Sequence, residues 1–254
     1  MADQTASETT EHSPAPTPRA ATLVATAVTL IGFLAFAIIA AVDPEHFDHL
    51  ARKDNFANTG LVEHLTVGVL IPGILLAIYA LVRFRRLLPS RWITLWLVLW
   101  TLACIYFAGE ECSWGQWYLE FETPEQLSDL NDQGEFNLHN TSSWLDQKPR
   151  TLVEIFVVVG GLIIPVILWL NRKKPTQRPE SRGLLDWTLV PAMCWAAAGV
   201  FLFERIASKV ELPWFERLGT SEFRELGVAW FLTLYLMSYA LRLGSLSKSR
   251  LNAD

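Results

Sequence analysis

Apolar residues gather in six runs along the chain: Ala20–Val42, Leu65–Val82, Trp92–Gly109, Ile155–Leu170, Trp187–Phe203 and Leu226–Leu241. None contains Asp, Glu, Lys or Arg. A helix that crosses the hydrocarbon of a bilayer needs roughly 20 apolar residues. Only the first run reaches that unaided, and the others reach it by taking in polar residues at one end. The pattern predicts an all-α fold, a six-helix transmembrane bundle with helices at about 20–42, 63–82, 92–111, 151–170, 184–203 and 223–241. Pro72, Pro165 and Pro191 fall inside three of these, which membrane helices tolerate better than soluble ones. Residues 1–19, rich in Thr, Ser, Ala, Pro and Glu, are predicted to be a disordered tail, and residues 244–254 a second tail. The first run is long for the apolar core of a secretory signal and lacks a basic leader, so it reads as an uncleaved anchor.

Composition agrees. Of 254 residues, 51% are apolar and 19% charged, where soluble proteins carry about 25% charge; mean hydropathy is +0.26. The net charge of −5 argues against nucleic acid as a partner and leaves membrane lipids. Three cysteines cannot all pair, no C-x-x-C motif is present, and Cys104 and Cys112 are too far apart on one helix to bridge.

Lysine and arginine predict the orientation. The N-terminus, Arg83–Arg91, Arg172–Arg182 and the C-terminus hold 13 basic residues, against 8 in the opposite loops. Both termini are therefore expected in the cytoplasm, with residues 43–62, 110–150 and 204–224 outside. Of eleven tryptophans, Trp92, Trp114, Trp117, Trp169, Trp187 and Trp214 lie near predicted helix ends, where amphipathic rings anchor to the interface.

The outer face is acidic, with nine carboxylates between Glu110 and Arg150. Counting roughly 20 residues outward from each cytoplasmic helix end brings Glu63, Glu110, Glu111, Glu154 and Glu225 to the outer interface, with Glu204 just beyond its span. Carboxylates within hydrocarbon are expensive and turn toward the bundle or a cavity.

The densest motif closes the third helix: Gly109-Glu110-Glu111-Cys112-Ser113-Trp114-Gly115-Gln116. Thr123-Pro124-Glu125-Gln126 follows and reads as the capped start of a short surface helix in an ordered outer loop. Asn131 to Asn140 then supply donors and acceptors with little core-forming material. Cys112, beside two carboxylates, should hold its proton tightly. Together with Leu61-Val62-Glu63-His64-Leu65-Thr66, these segments resemble a family of uncharacterised bacterial polytopic membrane proteins with GEExSWGQ and NxQxExNLHN motifs. The likeness covers about residues 55–145 and supplies a grouping but no reaction. Glu110-Glu111 also resembles the start of the Glu-Glu-x-x-x-Arg motif of CAAX-type glutamate intramembrane proteases. There the match stops, because Gly115 stands where Arg is expected and Phe136 to His139 is one residue short of Phe-x-x-x-His.

Three readings follow. In the first, Glu63, Glu110, Glu111, Glu135 and His139 form the catalytic site of a hydrolase or transferase acting on a lipid or lipid-linked substrate. Glu111, Glu135 and His139 would hold a divalent metal ion that activates water. His64, Ser113, Trp114, Gln116, Asn137, Asn140 and Glu225 would support them. In the second, an acidic vestibule serves a cation or polar-solute transporter. In the third, the protein is a non-enzymatic scaffold whose polar network locks the outer loop onto the helix ends.

Overall fold

The computed structural model describes residues 16–51, 60–128, 135–138, 141, 143–171, 182–210 and 217–252. Six helices are long and apolar enough to cross a membrane: α1 (Arg19–Val42), α2 (Leu61–Leu87), α3 (Arg91–Glu111), α4 (Lys148–Leu170), α5 (Leu184–Ala207) and α6 (Ser221–Leu251). No strand occurs among the described residues. The outward faces of α1, α3 and α4 expose Leu30, Ile31, Leu34, Leu95, Leu99, Leu102, Ile155 and Val166. Such continuous apolar surface belongs against lipid, and the chain is an integral membrane protein.

The centre of the bundle is α6, packed mainly against α2 and also against α5. It buries Phe231, Leu232, Leu234, Tyr235, Leu236 and Tyr239. Close approach of α2 and α6 depends on Gly73, where a Cβ would stand 2.9 Å from the Thr233 Cα. At this crossing the Thr233 hydroxyl donates to the Val69 carbonyl at 2.6 Å, a bond between small-residue helix faces typical of membrane packing. Gly73→Ala should force the helices apart and lower stability by about 1–3 kcal/mol through overpacking, read as an earlier thermal unfolding transition of the detergent-solubilised protein.

Two of the prolines mark irregular backbone. Before Pro165, α4 widens to a π-helical turn at Val159–Ile163. Proline lacks an N–H and its ring crowds the preceding turn, which a wider turn relieves. In α5 the helix breaks after Thr188 and restarts through a 3₁₀ turn at Ala192–Cys194 behind Pro191. The carbonyls freed by the break find side-chain donors: the Tyr235 hydroxyl donates to the Thr188 carbonyl at 3.0 Å and the Tyr239 hydroxyl to the Trp187 carbonyl. Trp96 Nε1 donates to the Tyr235 hydroxyl at 2.7 Å. In lipid such groups have no water to fall back on.

Two expectations are corrected here. Trp187 is not an interfacial anchor: it is 1% exposed and packs beside Tyr239, because the break in α5 folds it under α6. The sixth helix does not end near Leu241 but continues to Leu251. It thereby carries Arg242, counted among the C-terminal charges, to a buried position where its Nε and Nη1 have no hydrogen-bond partner among the described residues.

Candidate functional site

Directly after α3 the chain reverses through three successive left-handed residues, Ser113 (φ 46°), Trp114 (φ 51°) and Gly115 (φ 88°). Glycine adopts this region freely, whereas serine and tryptophan are held there at a cost of about 1–3 kcal/mol each. Side-chain bonds hold them. Trp114 Nε1 donates to Glu110 Oε1 at 2.7 Å, and the Leu138 amide donates to Glu110 Oε2 at 2.7 Å. The fully buried Ser113 donates to Glu135 Oε2 at 3.0 Å. Asn137 Nδ2 donates to the same carboxylate oxygen at 2.9 Å and to the Ser113 hydroxyl at 3.2 Å. Gln116 bridges the loop: its Nε2 donates to the Thr123 hydroxyl and the Phe121 carbonyl, and its Oε1 accepts the Phe136 amide. Four motif side chains, Glu110, Ser113, Gln116 and Asn137, thus fasten residues 135–138 to the end of α3. The short surface helix is Glu125–Ser128.

Glu111 lies one residue on, about 100° around the helix, and faces a different environment. A cavity of about 170 Å³ is lined by Tyr106, Phe107, Glu110 and Glu111 of α3, Arg150 and Val153 of α4, and Arg224, Glu225, Val228 and Leu232 of α6, among others. From Glu111 its wall descends along α3 to Ala103, about 12 Å at 1.5 Å per residue. Its mouth is charged and its floor apolar. Arg150 Nη1 donates to Glu225 Oε1 at 2.6 Å. Glu154 lies between three guanidinium groups, those of Arg150, Arg224 and Arg205, at 3.4, 3.7 and 3.8 Å. Three arginines therefore stand against Glu154, Glu225 and Glu111. Arg150 Nη2 and Arg224 Nε are buried without a hydrogen-bond partner among the described residues.

The expected residues divide among these settings. Glu110 joins loop and cavity, Glu111 and Glu225 line the cavity, and Glu63 lies within electrostatic reach of Glu111. Glu63 also accepts the Gly60 amide as a helix cap. Glu135 and Asn137 belong to the loop fastening instead. His64 turns to the loop too, its Nδ1 2.9 Å from the Tyr118 hydroxyl. His139 and Asn140 lie outside the described residues, as does Trp214. Among the described residues no three His, Cys, Asp or Glu side chains are placed to hold a metal ion. Of the expected trio, Glu111 lines the cavity, Glu135 accepts from Ser113 and Asn137 in the loop, and His139 lies outside the described residues.

Cys112, half-buried, sits between the two settings. Burial pushes its thiol above the ordinary range, and the Glu111 charge adds a smaller push against backbone hydrogen bonds that lower it. Since the thiolate is the nucleophile, maleimide labelling should be slow at pH 7 and accelerate as the pH rises past the normal thiol range. Cys104 and Cys194 are buried and leave Cys112 to report.

Sequence reasoning missed Arg150 and Arg224 as cavity residues. Both were counted as loop charges in the orientation balance. Their signal was spacing: Arg150 stands four residues before Glu154, and Arg224 beside Glu225, each at the membrane level of the acids. Comparison with protein-family models, with curated proteins and with solved structures finds no match for this chain.

Proposed function

We propose that this membrane protein is a hydrolase or transferase acting on an ester or phosphoryl group of a lipid or lipid-linked molecule. The observation that carries this reading is one cavity holding two guanidinium N–H groups and a carboxylate that have no hydrogen-bond partner among the described residues, above an apolar floor. Arg150 Nη2 and Arg224 Nε would receive the oxygen on which charge develops, as preorganised donors do in acyl and phosphoryl transfer. Glu111 would take the proton from the attacking water or hydroxyl and return it to the leaving group. A substrate chain would occupy the well toward Ala103, and the headgroup the charged mouth. The metal ion expected at Glu111, Glu135 and His139 supplies no step here. The lysine and arginine bias supports an extracytoplasmic site, and the family resemblance a bacterial inner membrane.

The test uses the full chain in nanodiscs of bacterial lipid extract, with mass spectrometry following headgroup release or exchange. Wild type should turn over a lipid class that Glu111→Gln and Arg150→Ala leave intact. The paired loop network favours a second reading, a scaffold. Under it no lipid changes in wild type, and the same variants alter only the melting temperature.

A further inference from the structure

A second cavity, separate from the proposed reaction site, lies between α1, α5 and α6. It measures about 190 Å³, and its lining includes Gly32 and Phe33 of α1, Val200 and Glu204 of α5, and Gly227 and Trp230 of α6. Its wall is almost wholly apolar, and two of its polar side chains are satisfied locally. Trp230 Nε1 donates to the Thr29 hydroxyl at 2.8 Å, and that hydroxyl donates to the Ala25 carbonyl at 2.7 Å. Glu204 is the exception. The sequence placed it just beyond the fifth helix, yet it lies within α5 and is 5% exposed. Its Oε2 is buried with no hydrogen-bond partner, and no ion pair joins it among the described residues. Arg224 is within electrostatic reach, but its Nη1 faces Glu154 at 3.7 Å. The carboxylate nests against the α6 backbone at Gly227, where a Cβ would come within 2.7 Å of Oε2.

An unpaired acid in such surroundings is costly unless a donor meets it, and ionisable groups within spans mark ligand or proton sites by default. The geometry points to a binding site for the primary ammonium end of an amphiphile, with Glu204 as its counter-ion and the cavity between α1 and α6 receiving the attached apolar group. An apolar cavity of about 150 Å³ holds a benzene ring, so this one takes a ring or a short alkyl segment. The ammonium could come from a free lipophilic amine or from a bilayer aminophospholipid, and the two share this chemistry.

The probe is 2-phenylethylamine, titrated calorimetrically into the full chain in phosphatidylcholine nanodiscs, with the isosteric 2-phenylethanol as the neutral control. Saturable binding of the amine, at least tenfold tighter than the alcohol and at least tenfold weakened by Glu204→Gln, is the expected result. Gly32→Leu gives a second handle: Gly32 lines the cavity and no atom lies within 4 Å of a Cβ there, so a leucine has room to occupy the cavity while Glu204 stays intact, and amine binding should again be lost. Equal affinity for amine and alcohol, or amine binding that survives either variant, overturns the proposal, as does no binding to wild type. With binding established, adding phosphatidylethanolamine separates the sources. Competition assigns the site to the bilayer lipid, and its absence assigns it to a free amine.

Discussion

Glu111→Gln is expected to reduce lipid turnover by about 10²–10⁴-fold, the usual contribution of a positioned acid–base group, while leaving the melting temperature nearly unchanged. The asymmetry follows from what Glu111 touches. It accepts no hydrogen bond among the described residues, so the amide leaves no donor stranded. Its charged surroundings, Glu225, Glu63, Glu222 and Arg150, contain more acid than base, so losing one negative charge does not strip a cation of its only partner. Arg150 keeps Glu225 at 2.6 Å and Glu154 at 3.4 Å. What disappears is a cavity carboxylate that accepts no hydrogen bond among the described residues, beside the Arg150 and Arg224 N–H groups that likewise have no partner there. The measurement is paired: headgroup release by mass spectrometry, and thermal unfolding of the same nanodisc preparation. Turnover at the wild-type rate in a folded Glu111→Gln protein would remove Glu111 from the chemistry.

The division between Glu110 and Glu111 also shows where sequence reasoning reaches its limit. Hydropathy alone located the six spans, because twenty-residue apolar stretches have one cheap solution in lipid. It located the helix-end acids for the same reason, since each span has a fixed length. It could not say which way each acid turns. Adjacent residues on a helix face different neighbours, and the reversal at Ser113–Gly115 decides which carboxylate the loop captures. That reversal has tryptophan and serine in left-handed backbone, where local preference points elsewhere. Arg150 and Arg224 were hidden for a related reason: a basic residue near a helix end reads first as a topology signal, and only the packing of α4 against α6 reveals it as a cavity wall. Glu204 was set just beyond the fifth span by counting twenty residues and Arg242 just past the last uncharged run, but α5 and α6 run longer and keep both buried.

Glu110→Gln should act in the opposite way to its neighbour, costing about 2–4 kcal/mol of stability through the loop. Both carboxylate oxygens of Glu110 are occupied, one by Trp114 Nε1 and one by the Leu138 amide, each at 2.7 Å, and the side chain is 3% exposed. A glutamine offers one acceptor where two donors converge, so one N–H must face the new amide group. A bond to a charged acceptor is worth about 1.5–3 kcal/mol, and a buried donor left unpaired costs about 1–3 kcal/mol. Part of the loss returns when Trp114, no longer tied down, leaves its strained conformation. Release should spread along the fastening, because Leu138 follows Asn137, whose Nδ2 holds Glu135 and Ser113. Hydrogen exchange is the direct readout: amides at 136–138 should lose protection in Glu110→Gln and keep it in Glu111→Gln, while the amides of α6 stay protected in both. Unchanged protection at 136–138 would mean that the loop is held by something other than the Glu110 carboxylate.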